Sequence, residues 1–320
     1  MRTVKASEKW ALAAGVVVAL ALVIASLLVG QYHVFSADDG IRMFFLTRVP
    51  RTVTLVLAGA IMAVSGSVMM QLTQNRFVEP TTTGTTEWAA LGLLLVMIIS
   101  PEAPLLVKLS AAVVVAFFGT MVFFLMLRRV ELKSAITVPI MGIMLGAVVS
   151  ALKTFIALWA GGAQQVSTWF TGSFIAAISG QYEPIYLVVI VLVMVFIAAD
   201  RFAAAGLGED VATSIGVDYQ KVVLLGTVLV VLAAGTVVVV VGQLPFLGLV
   251  VPNLVTLMRG DNLRSNLPWV VIVAVITVTA CDILARLVIA PFEMPVGVIL
   301  SIFGGAVFIF LVLRGQNGNA

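Results

Sequence analysis

A long uncharged stretch in the first quarter of the chain constrains the fold more than any other feature of this sequence. Residues 52–70 carry no charge, and Pro50 stands just before them, where proline suits the first turn of a helix. Small side chains in this stretch would let a second helix approach closely in lipid. They are Ala58, Gly59, Ala60, Ala63, Ser65, Gly66 and Ser67. We therefore predict a membrane helix that packs against protein and ends in a turn at residues 75–80.

Similar apolar runs recur along the whole chain. A helix that crosses a bilayer needs about 20 mostly apolar residues, and ten stretches meet or approach that length. They are residues 10–30, 51–71, 81–99, 106–127, 135–159, 185–199, 222–241, 246–257, 269–289 and 296–313. Hydrophobic residues make up 62% of the chain and charged residues only 10%, against about 25% charged residues in soluble domains. The sequence therefore predicts an all-α polytopic membrane protein, with residues 1–320 as a single transmembrane domain.

Two of these spans are irregular. The third begins with a run rich in threonine, and the eighth is short and contains Pro252, which we expect to interrupt its helix. Irregular backbone at membrane depth is tolerated only where protein or a cavity surrounds it. Candidates for lining a pathway are therefore Glu87, Trp88, Pro252 and Asn253. The alternatives are a hydrogen-bonded buried carboxylate for Glu87 and a packing role for Trp88.

The distribution of positive residues predicts the orientation of the chain. If the N-terminus is cytoplasmic, most of the 18 Lys and Arg residues fall in cytoplasmic segments, as the positive-inside rule requires. An even number of spans then places both termini in the cytoplasm. The net charge of only +3 gives no reason to expect a nucleic-acid partner, so membrane lipid is the expected surroundings.

Several chemistries have no support in the sequence. No G-x-x-x-x-G-K-[ST] phosphate loop occurs in the 320 residues, so we expect that the chain does not bind ATP by itself and has no ATPase site, and we do not expect an enzyme. The single histidine, His33, and the single cysteine, Cys281, do not make a metal site, and no cofactor is expected. Gly142 and Gly146 form a G-x-x-x-G pair that permits close helix contact, within the chain or at a dimer seam.

Three arginines fall on the outer face in this topology. Arg48 and Arg51 begin the second span, and Arg286 stands near the end of the ninth. A guanidinium is permanently charged and binds a carboxylate through two parallel hydrogen bonds, so a cluster of arginines can receive acidic residues of a partner. The alternative is that these side chains reach to the lipid headgroups as anchors.

Ionisable residues inside predicted spans are costly, and so they are worth noting. They are Glu87, Lys153, Asp282 and Arg286. Asp282 and Arg286 are four residues apart on one helix face, so an internal ion pair competes with a docking role for Arg286. The pattern assigns no role to Lys153.

The entry R-x-P-R at residues 48–51, the core A-G-A-x-x-A-x-S-G at 58–66 and the exit N-x-x-x-E-P at 75–80 resemble the FecCD family. Further matching blocks extend the likeness over nearly the whole chain. They are LGEDVATSIGV at 207–217, GLVVPN at 248–253, GDNLRSNLP at 260–268, DILAR at 282–286 and EMPVG at 293–297. This family comprises permease subunits of binding-protein-dependent ABC importers for ferric siderophores, haem and vitamin B12.

The resemblance implies a type II ABC importer permease fold in the bacterial cytoplasmic membrane and a set of partners. These are a second permease chain (a paralogue or a second copy), two cytoplasmic ATP-binding subunits and an extracytoplasmic siderophore-binding protein. It implies that Arg48, Arg51 and Arg286 meet acidic residues on the binding protein. Residues 242–253 and the pair Glu87 and Trp88 resemble the subgroup for ferric catecholate siderophores; alternatives are vitamin B12, haem or, from another class, an ion-coupled transporter.

Residues 201–221 form the longest polar interruption in the second half of the chain. Apolar residues recur there at helical spacing between glycines, which predicts short helices on the cytoplasmic membrane surface, with a solvated loop as the alternative. The resemblance implies that this segment is a coupling helix for the ATPase subunit. The residues assigned to coupling are Leu207, Gly208, Glu209, Asp210, Ala212, Thr213 and Gly216.

Overall fold

The computed structural model describes residues 6–29, 40–129, 136–161 and 170–317, which form helices and connecting turns without a strand. His33 lies outside these ranges. The helices in the first half are α1 Ala6–Leu28, α2 Gly40–Met43, a π-helical turn Phe44–Arg48, α3 Val49–Thr73, α4 Thr85–Ile99, α5 Leu105–Leu127 and α6 Thr137–Trp159. Those in the second half are a 3-10 turn Glu183–Tyr186, α7 Leu187–Ala205, α8 Glu209–Ser214, α9 Tyr219–Val240, α10 Leu247–Arg259, α11 Leu263–Leu287 and α12 Val296–Asn317.

The prediction of an all-α polytopic membrane protein is confirmed. Each of the ten predicted spans corresponds to one of these helices. In the part of the chain that the structure describes, seven helices are long and apolar enough to cross a membrane, and three further apolar helices are shorter. The shorter ones are Thr85–Ile99, Leu247–Arg259 and Val296–Leu311. Two of these three are the spans that the sequence marked as irregular.

Helix α3 lies at the centre of the fold, in contact with α7, α9, α10 and α11. Its small residues explain how. A Cβ atom on Gly66 would lie 1.9 Å from the carbonyl oxygen of Gly248, so the backbones of α3 and α10 touch directly. A Cβ on Gly59 would lie 2.5 Å from a methyl group of Val278 on α11. The small side chains therefore serve close helix packing, as the sequence predicts.

The prediction of an irregular start for the third span is confirmed, whereas the predicted interruption of the eighth span at Pro252 is wrong. Residues 81–84 form turns before α4, and Gly84, at φ +79°, lies against Gly146 of α6. Helix α10 instead continues through Pro252, which is buried. It begins at Leu247, after a turn in which Phe246 has a φ of +62°. Protein surrounds both segments, as irregular backbone inside a membrane requires.

The glycine pair of α6 packs inside the chain. A Cβ on Gly142 would lie 2.2 Å from the carbonyl oxygen of Thr82, and one on Gly146 would lie 3.4 Å from the Cα of Gly84. The turn before α4 thus covers both positions, which is the close contact within the chain that the G-x-x-x-G spacing allowed. The opposite face of α6 is exposed and apolar, with Met144, Val148 and Phe155 each more than half exposed.

The 25 residues of α3 separate two ends of the molecule by about 36 Å at 1.5 Å per residue. Arg48 and Arg51 stand at its start, and we call that side the arginine end. At its other terminus, Thr73 and Gln74 line a groove together with Glu209 of α8, and we call that side the α8 end. The predicted docking and coupling residues therefore lie on opposite sides of the fold.

Candidate functional site

The arginine end is built around one buried carboxylate. Asp282 of α11 is fully buried and forms an ion pair with Arg51 of α3, with 2.8 Å between Oδ1 and Nη2. Its other oxygen accepts a hydrogen bond from Arg286, one helical turn further along α11. Arg51 also contacts Glu293, with 2.7 Å between Nη1 and Oε2. Two arginines and two carboxylates thus join α3 to α11 and to the segment before α12.

The same arginines hold the end of α1. Arg286 donates to the carbonyl oxygens of Ser26, at 3.0 Å, and Val29, at 2.7 Å. Arg48 donates to the carbonyl oxygens of Leu27, at 2.9 Å, and Leu28, at 3.2 Å. The last turn of a helix has carbonyl groups without intrahelical partners, and these guanidinium groups satisfy them.

The structure brings all three predicted docking residues together around one cavity of about 480 Å³. The sequence left two roles open for Arg286, and its contacts are those of the internal ion pair, because it is 7% exposed and bonded to Asp282. Sequence reasoning missed Glu293 as a partner of Arg51. Glu293 stands in the EMPVG block, but no spacing rule connects it to a residue 242 positions away.

Helix α8 presents an apolar and acidic surface at the α8 end. Leu207, Val211 and Ile215 are 63%, 44% and 59% exposed, and Glu209 and Asp210 are exposed beside them. The prediction of several short helices in residues 201–221 is wrong in detail. Helix α7 runs on to Ala205, and α8 is one six-residue helix.

Glycines shape the ends of this short helix. Gly208 has a φ of +102° and Gly216 a φ of +83°, values that a residue with a side chain adopts only under strain. Thr213 is exposed, but its hydroxyl donates to the carbonyl oxygen of Glu209 at 2.7 Å. Ala212 is fully buried and therefore cannot contact a partner. Its predicted place on the coupling surface is wrong, and its role is in packing.

The connection from α8 to α9 is fixed by an N-cap. The Asp218 carboxylate accepts a hydrogen bond from the backbone N–H of Lys221 at 3.2 Å and pairs with its ammonium at 2.8 Å. Hydrogen bonding to Lys221 lowers the pKa of the Asp218 carboxyl below its ordinary value. The start of α9 is thus defined by an aspartate of the kind that N-caps favour.

The four pathway candidates occupy three different places. Pro252 and Asn253 line a cavity of about 180 Å³ toward the α8 end. The indole of Trp88 packs against Gly119, where a Cβ atom would lie 2.0 Å from the ring. Trp88 therefore fills space between α4 and α5, and the packing alternative describes it. Only Glu87, within this set, lies on a cavity between α4 and α6.

Glu87 forms a buried polar cluster with two residues from distant parts of the chain. Its Oε2 lies 2.6 Å from Nζ of Lys153 on α6, and its Oε1 accepts a hydrogen bond from Nε2 of Gln243 at 2.9 Å. The Lys153 ammonium also lies 4.6 Å from the centre of the Phe170 ring, a distance at which a cation is attracted to the ring. The sequence assigned no role to Lys153, and the structure makes it the partner of Glu87.

Glu79 is, with Asp282, one of two fully buried carboxylates among the described residues. The sequence did not identify it as a site residue. It is fully buried and accepts a hydrogen bond from the backbone N–H of Phe246 at 2.9 Å and another from the Thr81 hydroxyl. A carboxylate at the N-terminus of a helix accepts hydrogen bonds from the free backbone amides there and is stabilised by the helix dipole. Glu79 therefore ties the turn before α4 to the start of α10.

Comparison with known proteins gives the family. The sequence model of the FecCD transport family matches residues 12–314. The petrobactin import system permease protein FatD of Bacillus anthracis is 54% identical over 94% of this chain and 90% of its own length. The petrobactin import system permease protein YclN of Bacillus subtilis is 40% identical over 84% of this chain and 85% of its own length.

A solved structure has the same fold. It is described as an inward-facing conformation of a metal-chelate type ABC transporter, and it superposes with a TM-score of 0.82 at 22% sequence identity. The alignment covers 96% of this chain and 99% of that one. The family match, the close relatives and this fold agree with the motifs read from the sequence. The chain belongs to the FecCD transport family.

Proposed function

We propose that this chain is the permease subunit of an ABC importer that carries a ferric siderophore across the bacterial cytoplasmic membrane. The observation that carries the proposal is the 54% identity to a petrobactin import permease over 94% of the chain. A second petrobactin import permease, at 40% identity, supports the same cargo class. Ferric petrobactin is therefore the first cargo to test.

The proposed importer has the composition that the family implies. This chain, as one transmembrane domain, pairs with a second permease chain, which is a second copy or a paralogue. Two ATP-binding subunits supply the energy, because the 320 residues contain no phosphate loop of the G-x-x-x-x-G-K-[ST] type. A siderophore-binding protein delivers the cargo from outside, and both termini of the permease are cytoplasmic.

The binding protein docks at the arginine end in this proposal. Support comes from the convergence of Arg48, Arg51 and Arg286 around one cavity. Asp282 pairs with Arg51 and Arg286, and Glu293 pairs with Arg51, so carboxylates of the chain itself hold these two arginines in place. Charged groups at such a rim act mainly on encounter rate and orientation. Arg48 donates to the carbonyl oxygens of Leu27 and Leu28 at the end of α1.

The ATP-binding subunit docks on α8 in this proposal. Support comes from three large apolar side chains that are exposed on α8 and directly beside it, namely Val211 on the helix, Leu207 before it and Ile215 after it. A partner that removed these side chains from water would gain about 1.5–3 kcal/mol for each one that it buried fully. Glu209 and Asp210 would set orientation at the edge of the contact, while Ala212 holds α8 against the rest of the permease.

Reconstitution tests the proposal directly. Proteoliposomes that contain this permease, its partner permease and the ATP-binding subunits are supplied with the binding protein and radiolabelled ferric petrobactin. We expect iron accumulation that requires hydrolysable ATP and the binding protein. Accumulation of cyanocobalamin or haem instead would identify a different cargo, and iron accumulation driven by an ion gradient without ATP would contradict the ABC mechanism.

A further inference from the structure

The ion pair between Glu87 and Lys153 costs free energy, because it places two charges inside a membrane protein. It takes no part in the docking proposed at either end. The Lys153 side chain is 8% exposed and that of Glu87 is 19% exposed. Glu87 stands 12 residues before the end of α4 at Ile99, which places it about 18 Å along the helix from that end. Lys153 stands six residues before the end of α6 at Trp159. Both charges therefore lie within helices apolar enough to be membrane segments, where ionisable groups are rare and mark substrate or ion pathways.

The pair lies on the wall of a cavity that several elements build. The cavity has a volume of about 320 Å³. Its wall comes from α4, α6, the two irregular connections before α7 and α10, and the start of α12. Polar side chains surround the ion pair, and one of them, Ser301 of α12, is exposed on the surface of the chain. The wall includes Ser150, Thr171, Gln243 and Ser301.

Stability alone does not explain the pair. Two opposite charges removed from water contribute little net stability, and a well-packed hydrophobic pair of similar volume is often as stable or more so. Neighbouring residues on α6 and α4, such as Val149 and Ala90, are apolar and buried. A purely structural contact between these helices would therefore not require an ammonium and a carboxylate.

The donors of Lys153 are only partly used. An ammonium group has three N–H donors; one points to Glu87, and the Phe170 ring covers another side. Gln243 holds Glu87 through the oxygen that does not face Lys153. The carboxylate would therefore stay in position if the ammonium turned toward a ligand in the cavity.

We propose that Lys153, balanced by Glu87 and positioned through Gln243, contacts an anionic oxygen of the ferric chelate as it passes through the membrane. This inference rests on the proposed function, since it names the chemistry by which that cargo is recognised inside the permease. A ferric siderophore surrounds its iron with oxygen donors, many of which are negatively charged. Because Glu87 compensates most of the lysine charge, the contact is weak enough to release the cargo, as conduction through a multi-site pathway requires.

The test uses the complete importer in proteoliposomes with ferric petrobactin as the probe. Lys153→Met should lower iron uptake by about tenfold, the factor for losing one hydrogen bond to a charged group, while binding-protein-stimulated ATP hydrolysis stays near the wild-type rate. Lys153→Arg should recover part of the uptake. Lys108→Met is the matched control, because it removes a lysine from α5 away from this cavity, and its uptake should be unchanged.

A double variant separates a cargo contact from a structural pair. Lys153→Met alone leaves Glu87 without its partner and could prevent assembly, whereas Glu87→Gln with Lys153→Met removes both charges and keeps the contact with Gln243. We expect this double variant to assemble and hydrolyse ATP but to remain defective in uptake. Wild-type uptake by the double variant would overturn the inference. A wild-type importer that moved no ferric chelate would instead contradict the proposed function itself.

Discussion

The two ends of the molecule are held in different ways. At the arginine end, Asp282 is fully buried between Arg51 and Arg286, and these contacts join α3, α11 and α1. At the α8 end, a six-residue helix is held by the buried Ala212 and by glycine turns, and its hydroxyls bond within the helix itself. The arginine end is fixed by buried ion pairs between helices, whereas α8 itself is held by an apolar contact and by turns.

The arginine end therefore offers a surface that is already formed, whereas the surface at the α8 end would be completed by a partner. The arginine end keeps its geometry through bonds inside the chain, so a protein that docks there meets a rigid rim. The α8 end exposes Leu207 and Ile215 without covering them, so a partner would supply the missing burial. Substitutions at one end should therefore leave the other end unaffected.

Removal of the central carboxylate should have the largest effect. Asp282→Ala leaves two buried guanidinium groups without their shared partner, and breaking a buried ion pair costs about 3–5 kcal/mol. We expect a large fall in the thermal unfolding midpoint of the purified permease in detergent. Glu293→Gln is the control, because it removes a partner that is 26% exposed and should cost much less. Equal midpoints for wild type and Asp282→Ala would show that the cluster does not hold this end.

Charges on the exposed face of α8 should affect assembly without unfolding the permease. Leu207→Asp combined with Ile215→Asp removes two large apolar side chains, and full burial of such a side chain is worth about 1.5–3 kcal/mol. We expect weaker co-purification of the ATP-binding subunit at an unchanged unfolding midpoint. The control is Ser214→Asp, which adds a charge to the same helix without removing a large apolar side chain. Leu106→Asp would not serve, because α5 spans the membrane. Undiminished association of the double variant would rule out α8 as the contact.

Reversal of charge at the arginine end should slow docking of the binding protein. Arg48→Glu changes the arginine that lines the cavity and donates to the end of α1, and exposed ion pairs contribute about 0–1 kcal/mol. We expect a lower association rate, with a weaker dependence on salt, and an unchanged association with the ATP-binding subunit. Arg264→Glu, at an exposed site paired with Asp200, is the control with the same charge change. If both variants docked at the wild-type rate, Arg48 would not belong to the docking surface.

The smallest effect is expected at the N-cap of α9. The pKa of Asp218 is lowered by its hydrogen bond with Lys221, so the charged carboxylate is favoured in the folded protein. Its contribution is therefore present above the ordinary aspartate pKa and is lost as the pH falls through the lower, folded value. Because the group is fully exposed, Asp218→Asn should leave the unfolding midpoint at neutral pH almost unchanged. A large shift would mean that this turn carries more of the α8 end than its contacts indicate.

The membrane helices could be predicted from the sequence because each depends on local composition. All ten apolar stretches became helices, since a spanning segment must satisfy its backbone hydrogen bonds within itself. The interruption at Pro252 was predicted wrongly: Pro252 is the sixth residue of α10, and the helix continues through it to Arg259. The start of α10 depends on Glu79, which is 167 positions from Phe246.

The partners inside the candidate sites could not be predicted in the same way. The Asp282–Arg286 pair has a helical spacing and was identified, whereas Glu87 with Lys153 and Arg51 with Glu293 join residues that are 66 and 242 positions apart. Burial of Ala212 depended equally on how α8 packs. Such contacts follow from the packing of helices, which a single sequence does not specify.

The orientation of the two ends tests the central claim most directly. Arg42 lies on the helical run Gly40–Thr73 beyond Arg48, and Glu209 is exposed on α8. Arg42→Cys and Glu209→Cys can be labelled in intact cells with a thiol reagent that does not cross membranes, in a chain whose own cysteine, Cys281, is buried. We expect labelling of Arg42→Cys from outside and of Glu209→Cys only after the membrane is opened. Labelling of Glu209→Cys in intact cells would contradict the account.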